Sequence, residues 1–373
     1  MHEITESILE AFGLVPSACR ITPLGKGHIH DTYIVSSNLP LPGEYILQRI
    51  NTDVFQDLHL LMSNLGLITS HIAEKNRKAG KEPKSNGIVY LSTNDAKNWY
   101  GNEAIGYWRM CWLIEEQHSY EEATTHEIAF EGGKAIAEFQ SNLADLDPEL
   151  IGDTIPRFHD LRMRVEQFDK SLTEASAERL KNAEHWIHFT KEHSAQYLEL
   201  ITQTAKWNVA LRLTHNDTKF NNILFNKDGQ ATCLIDLDTV MKGYAWFDFG
   251  DALRTCASTA PEDEPDEGKI GFRIDIYEGF ARGFVQEATS YLTDDEIGLL
   301  HQAPLYFTFM QGVRFLADYL NGDSYYKISY PDHNLIRARS QYLLMQRMLE
   351  VQDKMKVIVD RARQEKKVQG LEN

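Results

Sequence analysis

A short β-hairpin with polar residues at both of its outer ends is the feature that most constrains this chain. Two apolar runs, at 223–225 and 231–235, flank the turn-forming residues 226–229, which contain an Asp-Gly pair. This pattern predicts two antiparallel strands joined by a tight turn. Because a hairpin brings its outer ends together, we expect Asn222 and Asp236 to lie side by side.

The residues just before the hairpin have the spacing H-x-D-x-x-x-x-N, from His215 through Asp217 to Asn222. The pattern supplies one carboxylate that can accept a proton, and it aims an amide oxygen and the Asp236 carboxylate at one point. Hard oxygen ligands of this kind suit Mg²⁺ that carries nucleotide phosphates. We therefore interpret Asp217 as a catalytic base and Asn222 and Asp236 as metal ligands. Lys219 is a candidate for contact with a γ-phosphate, and we expect His215 to have a structural role in the loop.

The composition is that of an ordinary globular protein, with 42% hydrophobic and 25% charged residues among 373. A net charge of −17 disfavours nucleic acid and an anionic membrane surface as partners, since no basic stripe is present to neutralise phosphates. The four cysteines are scattered without a metal-binding spacing. The acidic N-terminal segment lacks the basic region of a secretory signal, and no run reaches the length of a membrane span. We therefore expect a cytoplasmic protein whose partner is a small molecule, and the oligomeric state stays open.

The order of the predicted elements indicates an α+β fold with a small strand-rich lobe followed by a larger, mainly helical lobe. The first part of the chain combines strand patterns with one helix, which spans 54–78, and the strands are predicted at 33–35, 45–50, 87–91 and 98–100. We divide the chain into a nucleotide-binding lobe, a linker, a helical lobe with the catalytic loop and substrate pocket, and a charged C-terminal helix or tail, at 1–114, 115–122, 123–352 and 353–373.

At the catalytic loop and hairpin the sequence resembles the aminoglycoside phosphotransferase/choline kinase superfamily, and further features extend the resemblance over nearly the whole chain. The resemblance implies a two-lobed, protein-kinase-like fold that uses ATP and Mg²⁺. Asp248, Phe249 and Gly250 read D-F-G, but this segment follows no predicted strand and lies further from Asp217 than Asp236 does. We therefore give Asp248 a structural role as a brace for the catalytic loop.

The candidate nucleotide-binding residues lie in the small lobe. Gly25 and Gly27 stand between strand-like segments, where the lack of a side chain lets backbone N–H groups approach phosphates. The third predicted strand has no Lys, so Arg49 is the candidate cation for the α- and β-phosphates, with a surface arginine as the alternative. Either Asp57 or Glu74 could supply the helix carboxylate that pairs with this cation.

The candidate acceptor pocket lies in the helical lobe, where Arg314 interrupts an aromatic helix that ends in a loop with two tyrosines. From the residues alone, a core helix with a solvated arginine is the simpler interpretation. The stretches around Thr239 and Arg314, however, look like the N-acetylhexosamine 1-kinase branch of the superfamily. This resemblance implies phosphorylation of the anomeric hydroxyl of N-acetylglucosamine or N-acetylgalactosamine, with Thr239, Arg314 and Tyr325 lining the sugar pocket.

Two alternatives remain open at this stage. The first is a kinase for another small hydroxyl compound, such as an aminoglycoside, choline or homoserine. Cationic acceptors of this kind need an acidic or aromatic cage, and Arg314 opposes one. The second is a nucleotide-binding pseudokinase, which the missing small-lobe Lys favours and the complete set of Asp217, Asn222 and Asp236 disfavours.

Overall fold

The small lobe is built on an antiparallel sheet with the strand order β1-β2-β3-β5-β4. The computed structural model describes residues 4–24, 29–82, 87–207 and 209–371. Within these residues the strands of the sheet are β1 (Cys19–Pro23), β2 (Asp31–Ser37), β3 (Gly43–Arg49), β4 (Tyr100–Asn102) and β5 (Gly106–Trp112). Burial alternates along β2 and β3, because successive side chains of a strand point to opposite faces.

The two helices of the small lobe belong to different hydrophobic cores. α1 (Glu6–Ala11) packs with Tyr45, Leu47 and Trp108 in a core that is confined to the small lobe. α2 (Leu58–Lys78) contributes its apolar stripe to the larger core that runs through the helical lobe. Helix α2 therefore ties the small lobe to the large one.

Some of the predicted strands are confirmed and others are wrong. The patterns at 33–35 and 45–50 lie in β2 and β3, and the predicted helix corresponds to α2. The predicted strand at 87–91 is wrong, because within it only Tyr90 forms a bridge, to Cys111 of β5. The predicted strand at 98–100 reaches β4 only at its last residue. β1 corresponds to the strand-like segment before Gly25, for which the sequence analysis gave no bounds.

The large lobe is mainly helical, with two small pairs of strands. Its described helices are α3 (His126–Leu143), α4 (Leu161–Glu174), α5 (Ala177–Asn182), α6 (Glu184–Lys206), α7 (Trp246–Cys256), α8 (Ile274–Ala288), α9 (Asp294–Leu299), α10 (Ala303–Leu320), α11 (His333–Leu349) and α12 (Gln352–Leu371). Its strands pair as β6 (Arg212–Thr214) with β9 (Met241–Gly243), and β7 (Ile223–Phe225) with β8 (Ala231–Leu234).

Helices α3 and α8 approach each other closely at glycine positions. A Cβ atom on Gly283 would lie 1.9 Å from the carbonyl oxygen of Phe130, and one on Gly133 would lie 2.2 Å from the carbonyl oxygen of Phe280. Only glycine fits where two helix backbones are this close.

The architecture confirms the predicted fold class, an α+β chain with a small antiparallel lobe and a large helical lobe. Across the part of the chain that the structure describes, no helix combines the length and the apolar character that crossing a bilayer requires.

Candidate active site

The β7–β8 hairpin brings Asn222 and Asp236 together, which confirms the hairpin predicted from the sequence. The backbone N–H of Ile235 donates to the carbonyl oxygen of Asn222 at 2.9 Å. The side-chain amide of Asn222 donates to the backbone carbonyl of Asp217 at 2.9 Å. Asn222 thus lies between the catalytic loop on one side and the residue before Asp236 on the other.

Buried hydrogen bonds hold the catalytic loop in one conformation. The carboxylate of Asp248 accepts the backbone N–H groups of His215 and Asn216 at 2.9 and 2.8 Å, which is the bracing role expected for it. The His215 ring is buried and forms a hydrogen bond to the Ile235 carbonyl at 2.9 Å. Asn216 has a left-handed backbone conformation (φ 64°), which is unfavourable for a residue with a side chain. Strain of this kind persists only where surrounding contacts impose it.

Thr239 also forms hydrogen bonds that stabilise the conformation of the loop. Its buried hydroxyl donates to the carbonyl oxygen of His215 at 2.8 Å, and its own carbonyl oxygen accepts the side-chain amide of Asn216 at 3.0 Å. The structure therefore places Thr239 behind the catalytic loop, with its hydroxyl engaged by the backbone.

Asp217 and Lys219 form an ion pair at the exposed side of the loop. Lys219 Nζ lies 3.2 Å from a carboxylate oxygen of Asp217. Partial burial acts to lower the pKa of Lys219, but the charges of Asp217 and Asp251 outweigh it and raise the pKa. The ammonium group is therefore charged at neutral pH and lies next to the proposed base.

Asp236 has the environment of a cation ligand. Its backbone is left-handed (φ 62°), and within the described residues no hydrogen bond or ion pair engages its carboxylate. Burial raises the pKa of Asp236, and the nearby charges of Asp238 and Asp217 raise it further. A desolvated carboxylate among like charges, beside an amide side chain, offers hard oxygen ligands that fit a divalent cation.

Asp238, two residues further along, is held by an ion cluster that connects the two lobes. Arg109 of β5 binds both of its carboxylate oxygens, at 2.5 and 2.9 Å, and His30 Nε2 lies 2.5 Å from one of them. The Arg109 Nε–H donates to Gln48 Oε1 at 2.9 Å. We call Arg109, His30 and Asp238 the interlobe cluster.

The interlobe cluster was not predicted from the sequence, although a charged residue, Arg109, within the apolar strand W-R-M-C-W was a usable signal. Atoms of His30, Asp236 and Asp238 that could bind a metal lie within 4.8 Å of one another. Because Arg109 and His30 already occupy the oxygens of Asp238, Asp236 is the member of this group that is free to bind a cation.

The other predicted nucleotide residues do not join the catalytic residues. Arg49 lies on the opposite sheet face from Gln48, where it is partly exposed and 4.0 Å from Asp31. Neither predicted carboxylate contacts it. Asp57 caps the N-terminus of α2, and Glu74 pairs with residues of its own helix, Arg77 and Lys78. The predicted phosphate-binding glycines Gly25 and Gly27 lie outside the described residues.

Of the predicted acceptor residues, Arg314 lies in α10, which packs against α4, and Tyr325 lies in the loop that follows α10. Arg314 is partly buried, and its guanidinium carbon lies 5.9 Å from the ring centroid of Phe158 and 5.7 Å from that of Tyr326. Its Nη1 donates to Gln311 Oε1 at 3.0 Å. Tyr325 is 73% exposed, so Tyr326, which the sequence analysis did not select, is the tyrosine whose ring packs on Arg314.

His159 connects this region to the catalytic loop. Its Nε2–H donates to the carbonyl oxygen of Asn216 at 2.8 Å, and its ring packs against Phe158 and Phe307. Burial lowers the pKa of His159 to about 4, although the charges of Asp251 and Asp217 act to raise it. The imidazole is therefore neutral at pH 7. It lines a cavity of about 350 Å³ behind the catalytic loop.

A small antiparallel lobe, a helical lobe and a carboxylate beside a pair of oxygen ligands define a kinase-like phosphotransferase. Residues 20–284 match the phosphotransferase enzyme family, and the chain belongs to this family.

Known structures show the same fold at low sequence identity. An aminoglycoside phosphotransferase from Alicyclobacillus acidocaldarius is 10% identical with a TM-score of 0.63, over 96% of this chain and 97% of that one. The amicoumacin kinase hAmiN is 12% identical with a TM-score of 0.56, over 89% of each chain. A choline kinase from Cryptosporidium parvum is 15% identical with a TM-score of 0.54, over 92% and 93%. The resemblance seen in the sequence is thus confirmed for family and fold.

Proposed function

We propose that this phosphotransferase moves the γ-phosphoryl group of ATP to the anomeric hydroxyl of an N-acetylhexosamine and so forms the sugar 1-phosphate. The observation that carries the reaction class is the arrangement of Asp217, which lies beside Lys219 and is bonded to Asn222 in the family's catalytic loop. The structure of hAmiN contains AMP-PNP and Ca²⁺, which supports a nucleotide and a divalent cation as cofactors here. We assign Mg²⁺ because it is the ion that carries nucleotide phosphates.

The residues of the loop can perform the transfer as follows. Asp217 orients the acceptor hydroxyl and takes its proton as the new O–P bond forms and the bond to ADP breaks. Lys219, held charged beside Asp217, neutralises negative charge on the transferred group. Asn222 and Asp236 would hold the divalent cation, which would neutralise the phosphate oxygens. Because the transition state is loose, positioning and charge neutralisation are the main demands on the protein.

The choice of a sugar acceptor is supported by the resemblance to the N-acetylhexosamine 1-kinase branch and by the character of the pocket. Phe158 and Tyr326 provide aromatic faces, and Arg314 and Gln311 provide hydrogen-bonding groups that suit sugar hydroxyls. The cation Arg314 disfavours choline and other cationic acceptors.

The test is ³¹P NMR of enzyme, ATP and Mg²⁺ with N-acetylglucosamine, N-acetylgalactosamine, choline, homoserine or an aminoglycoside supplied separately. We expect a sugar 1-phosphate signal, and a loss of rate of roughly 10²- to 10⁴-fold in Asp217→Asn. Asp228→Asn, an identical change in the exposed hairpin turn, is the matched control and should keep full activity. Turnover of choline and of neither sugar would refute the acceptor class, and an active Asp217→Asn variant would refute the assignment of the base.

A further inference from the structure

Two arginines, Arg164 of α4 and Arg314 of α10, lie together beside the proposed acceptor pocket. Both contact Phe158: Arg164 Nη2 donates to its carbonyl oxygen at 3.0 Å, and the Arg314 guanidinium lies against its ring. The charge of Arg314 acts on Arg164 and lowers its pKa. We call these two residues the arginine pair.

The arginine pair is not neutralised by the protein. In the ranges 4–24, 29–82, 87–207 and 209–371, no carboxylate lies within ion-pairing distance of either guanidinium group. Arg164 Nε is buried without an acceptor, and its Nη1 has only the neutral partner Gln167 Oε1, at 3.2 Å. Within the described residues, the one hydrogen-bond partner of the Arg314 side chain is likewise neutral, Gln311.

The acidic residue whose charge acts on Arg164 is already engaged. Asp160 accepts the backbone N–H of Met163 at 3.0 Å, which caps α4, and it pairs with Arg157 at 2.7 Å. It therefore contributes little to the charge balance of the arginine pair.

Two like charges that are partly buried cost free energy, because they repel each other and are poorly solvated. The lowered pKa of Arg164 reflects this cost. Burial is the main cause that lowers its pKa, to about 10, and the repulsion from Arg314 adds to it. Arginine otherwise stays charged at every accessible pH and usually pairs with a carboxylate or phosphate in two-pronged geometry. An anionic ligand would offset the repulsion between the two guanidinium groups and would accept a hydrogen bond from the Arg164 Nε–H.

The arginine pair also lies next to the catalytic loop. Phe158 precedes His159, whose ring donates to the carbonyl oxygen of Asn216, the residue before Asp217. The charges of both Arg314 and Asp217 act on this imidazole. Phe158 and His159 therefore connect the arginine pair to the loop that carries Asp217.

We propose that the acceptor carries a carboxylate or another anionic group, which binds between Arg164 and Arg314 while its hydroxyl lies at Asp217. This inference rests on the proposed function and narrows the acceptor to an acidic hexosamine, such as a uronic acid. The nucleotide phosphates would be held by Lys219, Asn222 and Asp236, and not by the arginine pair.

The test compares acceptors that differ only by a carboxylate. One pair is N-acetylglucosamine and its C6 uronic acid, and the other, which is not a hexosamine, is glycerol and glycerate. With wild-type enzyme we expect kcat/KM for the acid to exceed that for the neutral partner by roughly 10- to 100-fold, as for a charge-assisted two-pronged contact. In Arg164→Gln and Arg314→Gln this preference should disappear through a higher KM for the acid, with the KM for ATP unchanged.

Lys170→Gln is the matched control, because Lys170 lies on the same helix as Arg164 and is exposed. It should leave the preference intact. The inference would be overturned if kcat/KM for the neutral compounds equals or exceeds that for the acids and does not change in Arg164→Gln. It would also be overturned if either arginine variant changes only the KM for ATP.

Calorimetry of the same acids with the intact protein separates this inference from the proposed function. The wild-type protein could bind the uronic acid or glycerate, lose this binding in Arg164→Gln, and phosphorylate none of the sugars. This outcome would support the anionic subsite and refute the sugar kinase activity. Phosphorylation of N-acetylglucosamine by a protein that binds neither acid would support the kinase and refute the subsite.

Discussion

Loss of one partner of the interlobe cluster should destabilise the protein far more than loss of a surface ion pair. Arg109 and Asp238 are each 2% exposed, and the guanidinium group has three of its nitrogens bonded, two to Asp238 and one to Gln48. The change Asp238→Asn leaves the Arg109 charge buried opposite a neutral amide. Breaking a buried pair in this way costs about 3–5 kcal/mol of unfolding free energy, because the remaining charge stays desolvated.

A double-mutant cycle measures the coupling between the two residues. The free energy of unfolding is measured in urea, without ligands, for three variants: Arg109→Met, Asp238→Asn and the double variant. The double variant should cost clearly less than the sum of the single changes, because neither charge is then left buried alone. Lys170→Met is the control. It breaks a surface pair of 3.6 Å whose side chains are 73% and 55% exposed, and should cost about 0.5 kcal/mol or less.

The same variants test whether the interlobe cluster positions Asp236. Asp238 lies two residues from Asp236, so a change in the cluster should also disturb the position of Asp236. Arg109→Met and Asp238→Asn should therefore raise the Mg²⁺ concentration needed for half-maximal rate. A cost of about 1 kcal/mol or less for Asp238→Asn, or additive single changes in the cycle, would refute the reasoning about the cluster.

Three further predictions concern single residues. The pKa of His159 is lowered by burial from 6.5 to about 4, so its contribution to stability is complete above pH 6.5 and is lost as the pH falls toward 4, by up to about 3 kcal/mol. Urea unfolding of His159→Gln should therefore depend less on pH between 4 and 6.5, and an unchanged slope would contradict this cause. Asp236→Asn should abolish activity but raise the melting temperature of the metal-free protein, since burial and two neighbouring carboxylates disfavour the charge; a lower melting temperature would contradict this. Gly283→Ala should destabilise by about 1–3 kcal/mol, because the new methyl group would meet a carbonyl oxygen. In contrast, Gly298→Ala in α9 should stabilise the protein by about 0.4–1 kcal/mol, because the added Cβ has no neighbour within 4 Å. Equal changes in the free energy of unfolding for the two variants would show that packing is not the cause.

The parts of the fold that local pattern encodes were predictable from the sequence. The Asp-Gly turn and its flanking apolar runs define the β7–β8 hairpin, and a 3-4 spacing of apolar residues defines α2. The absence of a strand at 87–91, where one was predicted, could not be read from the sequence. Its residues suit a strand, but pairing beyond the single bridge from Tyr90 to Cys111 depends on where β5 passes.

The surroundings of Arg314 show the same limit. The sequence analysis selected Arg314 and Tyr325, but adjacent tyrosines in an irregular loop carry no periodicity that tells which one faces the helix. The structure turns Tyr326 onto Arg314 and leaves Tyr325 exposed. Arg164 could not be selected at all, because a charged residue on a charged helix predicts a solvated face.

The sequence by itself determined the candidate catalytic segment, because one loop and one hairpin that are continuous in the chain bring Asp217, Asn222 and Asp236 together. Only the tertiary structure decided what surrounds them. Asp238 meets Arg109 from 129 residues away and His30 from 208 residues away, and the arginine pair comes from two helices that pack against each other. Contacts at such separations depend on how the elements are arranged in space, and local propensities and spacings do not encode that arrangement.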